Sequence, residues 1–229
     1  MFNLSRCLAV NAGQRSAGEA LVYGELRLDW QTLEARVQHL ATALAGRGIG
    51  KGDIVALMMK NSPAFIELIY AISHLGAVIL PLNFRLSSEE VGYIANHAGA
   101  VMIVADDVFQ VQAAGAGLPL ILLDEAGQID IGATLLDVSG GRQGLEAAPS
   151  GRDDIFRLMY TSGTTSRPKG VVHSYDNFYW KCFDHTLSLG LNERTRLLVV
   201  GPLYHVGGSD LPGLGVHLAG GTIVLLRDY

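Results

Sequence analysis

Apolar residues in this chain fall into short runs separated by stretches of helical periodicity. The runs at residues 53–58, 77–82, 100–105, 118–123, 155–160, 196–201 and 222–226 each have the length and composition of a buried strand. Between them, Leu33, Val37, Leu40 and Leu44 recur on one helical face, as do Phe65, Leu68 and Ile72. Strands alternating with helices predict an α/β chain with largely parallel sheets flanked by helices.

Polar punctuation fixes where these elements begin. Residues 20–29 read as a hairpin about Gly24-Glu25, and Asp29 can cap the helix that follows. Ser62-Pro63 places a capping hydroxyl before proline in the first turn. Ser87 with Glu90 three residues on is a capping box, and Ser174 opens a further helix. A Gly-rich helix is expected from about Gly207. Residues 124–153 hold little periodicity and read as a long, partly irregular connection. Trp30 and Trp180 read as core aromatics.

Composition narrows the class. With 229 residues, 49% of them hydrophobic and 17% charged, the chain can bury a substantial core. A net charge of −5 argues against a general nucleic-acid or anionic-membrane binder, which needs a basic footprint. Cys7 and Cys182 cannot make a disulfide framework. No apolar run approaches the roughly 20 residues of a spanning helix, and residues 1–16 lack the apolar stretch of a signal peptide. A cytoplasmic protein with no integral membrane segment is expected; a homo-oligomer remains open.

The stretch Tyr160-Thr161-Ser162-Gly163-Thr164-Thr165-Ser166-Arg167-Pro168-Lys169-Gly170 lies between two apolar segments. From Thr161 to Lys169 it carries five hydroxyl side chains. Hydroxyls and free backbone amides donate to phosphate oxygens, and a lysine adds a mobile positive charge. It is not a Walker A loop, because Gly170 follows Lys169 where Ser or Thr is required. The dinucleotide fingerprint fails as well: Asp53 stands at the last position of the run begun by Gly48, and Leu218 at that of the run begun by Gly213. A Ser/Thr-rich loop of arbitrary order would read as a polar surface turn.

The order of residues is what separates this loop from such a turn. It closely resembles the signature [YF]-T-S-G-T-T-G-x-P-K-G of the ANL superfamily (acyl-CoA synthetases, adenylation domains, luciferases), departing at one specified position, Ser166 in place of Gly. The runs Gly52–Leu57 and Leu75–Asn83 resemble the family's early core strands. Gly201-Pro202-Leu203-Tyr204-His205-Val206-Gly207-Gly208 resembles its P-[LM]-[FY]-H-x-x-G segment. With Pro81-Leu82-Asn83, this points toward ligases of fatty or aryl acids rather than peptide adenylation domains.

The resemblance implies ATP-dependent activation of a small-molecule carboxylic acid to acyl-AMP, then transfer to CoA, with Mg²⁺ on the nucleotide. It assigns Thr161 the hydroxyl on the metal side. Ser162, Gly163, Thr164, Thr165 and Lys169 form the phosphate cradle, and His205 borders the acyl pocket, so that Lys169 and His205 are the implied catalytic pair. Residues 1–229 would be the N-terminal portion of the AMP-binding domain, since no Y-G-x-T-E segment occurs here. The chain alone is then not expected to complete the two steps. A non-catalytic nucleotide-binding module, or an adenylating enzyme that loads a carrier protein, are the alternatives. The other histidines show no metal-ligand spacing, and Cys182 with His185 reads as ordinary helix packing.

Overall fold

A computed structural model describes residues 3–132, 144–161 and 167–228. The elements in chain order are α1 (Ser5–Arg15), β1 (Glu19–Tyr23), β2 (Leu26–Asp29), α2 (Trp30–Gly46), β3 (Ile54–Met58), α3 (Pro63–His74), β4 (Val78–Pro81) and α4 (Ser88–Ala98). There follow β5 (Ala100–Asp106), α5 (Gln110–Ala114), β6 (Leu120–Leu123), α6 (Glu125–Ile129), β7 (Ile155–Thr161), β8 (Lys169–Ser174) and α7 (Tyr175–Leu189). The last four are β9 (Arg196–Val199), α8 (Val206–Ser209), α9 (Leu214–Leu218) and β10 (Thr222–Leu225).

The anticipated helix starts are made as the side chains dictate. Asp29 accepts from the Thr32 amide at 2.7 Å, and Ser62 accepts from that of Phe65 at 3.3 Å. The Ser87–Glu90 capping box is closed in both directions, and Ser174 makes a second one with Asn177. The segment read as irregular after residue 124 contains a helix, α6, capped by Asp124. Five residues are too few for periodicity to reveal it, so only the cap could have done so.

The strands form two sheets, one ordered β2-β1-β10-β9 and the other β6-β5-β3-β4-β7-β8. The larger sheet is parallel from β6 to β7, and β8 closes its edge antiparallel to β7. From β3 the chain crosses through α3 to β4 on one side, then through α4 to β5 on the other. Right-handed crossovers in opposite directions must place their helices on opposite faces. The core divides accordingly. Val91, Ile94 and Ala95 of α4 pack with Ala56, Met58, Leu80 and Ile103. On the other face α3 joins Val55, Leu57 and Ile79 to Leu21, Ile223 and Leu225 of the smaller sheet. Every residue of α3 is buried, the pattern of a helix apolar on nearly all sides and packed between layers.

Trp30 is fully buried, but Trp180 corrects the expectation made for it: its side chain is 64% exposed. It lies on the outward face of α7, whose buried stripe is Tyr175, Phe178 and Cys182. Among the described residues no helix is long and apolar enough to cross a membrane. Both cysteines are free thiols.

Candidate active site

The described ends of the signature stretch belong to two antiparallel strands: Tyr160 and Thr161 finish β7, and Lys169 and Gly170 open β8. Across these two strands Thr161 lies opposite Lys169, Tyr160 opposite Gly170, Met159 opposite Val171 and Arg157 opposite His173. Directly paired residues share a face, so Arg157, Met159, Thr161, Lys169, Val171 and His173 look one way. Gly170 has a packing reason to be glycine, because a Cβ there would sit 3.1 Å from the Tyr160 ring. The Tyr160 hydroxyl meets His97 Nδ1 of α4 at 2.6 Å, tying the strand pair to the helix layer.

A second wall comes from the segment before α8. Asn61, almost fully buried, holds it in place: its amide donates to the Gly201 and Leu226 carbonyls at 2.9 Å, and its oxygen accepts from the Leu203 amide at 2.8 Å. The chain doubles back tightly here, and a side chain on Gly208 would run into the Pro202 carbonyl. His205 caps α8, its Nδ1 accepting from the Gly207 amide at 3.1 Å. Tyr204 packs edge-on to Phe84 at 5.4 Å between ring centres and accepts from Arg85 at 3.3 Å.

Between these walls opens a cavity of about 420 Å³, beyond the C-terminal ends of β4 and β7. The chain leaves those adjacent parallel strands in opposite directions, the arrangement that creates a ligand crevice in α/β sheets. Pro81 at the end of β4 lines it with Leu82 and Asn83 just beyond, Met159, Tyr160 and Thr161 from β7, Val171 and His173 from β8, and Tyr204, His205 and Val206 from the second wall. Its walls are mainly apolar with a few convergent polar groups, as suits an organic ligand.

Behind the cavity wall lies a buried ion pair. Arg157 grips Asp210 with both guanidinium nitrogens, at 2.8 and 2.6 Å, and donates to Ser209 Oγ at 3.2 Å. Burial acts to raise the Asp210 carboxyl, but hydrogen bonds and charge from Arg157 outweigh it and hold the group below its ordinary range. The same guanidinium contacts His173 Nδ1 at 2.9 Å. Burial, then the Arg157 charge, push His173 below its usual value.

The structure thus brings Thr161 and His205 to one cavity and sets Lys169 across from Thr161. Ser162, Gly163, Thr164 and Thr165, with Ser166, lie outside the described residues. Sequence reasoning missed Asn61, Arg157, His173 and Asp210. For Arg157 a signal existed, a lone charge inside an apolar strand; for Asn61 and Asp210 there was none. No group of three or more His, Cys, Asp or Glu able to hold a metal occurs among the described residues. They build no all-protein magnesium cage; an ion carried on nucleotide phosphates needs only one or two protein oxygens, and the Thr161 hydroxyl can be one.

Comparison with known proteins agrees with this architecture. The family described as "AMP-binding enzyme" matches residues 8–229. The chain is 36% identical over 193 residues to a 2-succinylbenzoate–CoA ligase of Geobacillus sp. (strain WCH70), covering 84% of this chain and 37% of that protein. It is 33% identical over 211 residues to a feruloyl-CoA synthase of Amycolatopsis sp., covering 92% and 40%. The chain therefore spans well under half the length of these curated relatives. Among solved structures, the o-succinylbenzoate coenzyme A synthetase of Bacillus subtilis in complex with AMP superposes with a TM-score of 0.83 at 27% identity, over 97% of this chain and 56% of that one. The fold, the signature stretch and these matches together make the chain a member of the AMP-binding enzyme family.

Proposed function

We propose that this chain contributes the phosphate loop and part of the acid pocket of an AMP-forming acyl-CoA ligase. Residues 1–229 are read as the first portion of the adenylate-forming domain of a longer protein acting on a fatty or aryl acid. The observation that carries the reading is the shared cavity, which faces Thr161 at the mouth of the signature loop and His205 on the opposite segment. The CoA ligase relatives and an AMP-bound neighbour support it. Its dependence on ATP and CoA suits the cytoplasm.

The reaction proceeds in two displacements. A carboxylate oxygen of the acid attacks the α-phosphorus of ATP, the bond to the bridging oxygen breaks, and pyrophosphate leaves. The sulfur of CoA then attacks the acyl carbon, releasing AMP, while the thiol proton passes to solvent or a base. Displacements at phosphorus depend mainly on positioning and on neutralising charge. Lys169, exposed beside the loop, supplies a mobile cation for the departing pyrophosphate. The hydroxyls and amides of 161–165 would donate to phosphate oxygens, and the Thr161 hydroxyl would hold a magnesium ion that would supply further neutralisation of phosphate charge. The cavity's apolar walls take the acid's hydrocarbon part, and His205, fixed by the tight turn at Gly208, borders the reacting carboxyl.

Acid-dependent pyrophosphate release by the full-length gene product tests this. Lys169→Ala should slow it by at least about tenfold with the melting temperature unchanged. An unaltered rate would remove Lys169 from the machinery. No release with any acid would favour a non-catalytic nucleotide-binding module, and release followed by loading of a carrier protein instead of CoA would change the acceptor.

A further inference from the structure

The acid cavity is apolar over most of its wall, yet two imidazoles line it, that of His205 on the second wall and that of His173 on β8. An arginine guanidinium can only donate hydrogen bonds. The Arg157 contact to His173 Nδ1 at 2.9 Å therefore makes Nδ1 the acceptor. An imidazole accepting at Nδ1 is neutral and bears its proton on Nε2, on the opposite edge of the ring. Burial and the neighbouring Arg157 charge both oppose protonation of this ring, and Lys181 adds to them; Asp210, which faces it from α8's end, acts the other way but is saturated by Arg157. Among the described residues Nε2 has no hydrogen-bond partner.

We infer that His173 is a specificity-determining residue, whose Nε2–H donates to a hydrogen-bond acceptor at the far end of the acid. The inference rests on the acid-activating reading above. Register sets the distance. His173 lies two same-face positions inward from Lys169, four residues along β8, which is roughly 13 Å of strand. With phosphates at the loop end, the remaining depth fits an acid of about phenylpropanoate length carrying an ether, hydroxyl or carbonyl oxygen at its tip. An anionic tip is less suited, because the donor is neutral and the Arg157 charge is already spent on Asp210. A donor held in a mainly apolar cavity discriminates against an isostere lacking the acceptor, since the donor is then desolvated without a partner.

The test uses the full-length protein and two acids of equal heavy-atom count, para-methoxyphenylpropanoate and para-ethylphenylpropanoate. Acid-dependent pyrophosphate release gives kcat/KM for each. The parent should prefer the methoxy acid by at least about tenfold. His173→Leu should bring the ratio near one, and His173→Gln, which retains an N–H donor, should restore part of it. A ratio cancels losses of folded protein, so it reports the site and not stability. Turnover of both acids by the parent with a ratio near one overturns the inference alone, whatever the variants do. So does a preference that survives His173→Leu. Absence of release with every acid overturns the acid-activating reading and this inference with it.

Discussion

Arg157 and Asp210 bear most directly on what single residues do in this molecule. Both are buried, at 3% and 2% exposure, and their two-pronged contact fixes β7 against the segment that follows His205. Removing one partner from such a pair strands a desolvated charge, whereas replacing both by apolar groups does not. Arg157→Met should therefore lower stability by about 3–5 kcal/mol in urea denaturation. Adding Asp210→Leu should recover much of that loss; a double variant as unstable as the single one would show that packing, not the stranded charge, sets the cost. Glycines act at the same scale by absence. Gly170 clears space for Tyr160 and Gly208 for the Pro202 carbonyl, so two positions of the signature segments answer to packing as well as to chemistry.

Among the elements, α3 carries the most consequence per residue. It is buried throughout, and it contains Glu67, whose side chain meets Arg36 of α2 at 2.9 Å while Arg36 also donates to the Ile129 carbonyl of α6. Burial raises the Glu67 carboxyl from 4.5 to about 7, with Arg36 opposing the shift. Between those values the folded chain keeps a proton that the unfolded chain has lost. The stabilisation is complete below pH 4.5 and is lost as pH rises through 7. Glu67→Gln cannot ionise, so its stability relative to the parent should climb between pH 5 and 8, by on the order of 2–3 kcal/mol. A difference that stays flat with pH would mean the carboxylate is ionised in the fold throughout. His217, buried and held down to about 4, contributes the opposite slope, losing stability as pH falls below 6.5. It is common to both proteins, so it cancels in the comparison.

At the scale of the whole molecule, two sheets share one core through α3, and the outer face of α7 remains exposed. Trp180, Phe183 and Leu187 recur there at helical spacing, with exposures of 64%, 59% and 84%. A contiguous apolar stripe of this kind promotes association. The 229-residue chain on its own should give tryptophan emission readily quenched by iodide from Trp180, with a protected component from Trp30. Trp180→Phe should remove the quenched component, and Phe183→Lys with Leu187→Lys should lower the apparent mass in sedimentation if the stripe drives self-association. Emission fully protected from iodide would mean that the stripe is covered in solution.

The α/β class, the main strands and the helix starts are legible along the chain alone, because they follow from local rules. Apolar periodicity decides which face is buried, and Asp29, Ser62, Ser87 and Ser174 satisfy amides within three residues of themselves. The family is legible there too, since the order of residues from Tyr160 to Gly170 is a local property. The outward turn of Trp180 was decided only by tertiary structure: α7 has one buried stripe, and which side it takes depends on a sheet formed by distant residues. The same holds for the meeting of Thr161 with His205, the Asn61 brace, and Arg157 between Asp210 and His173. Each joins residues between 16 and 165 positions apart. Such contacts are fixed by how strands order within a sheet and how crossovers choose a face, and no periodicity along one segment records that choice.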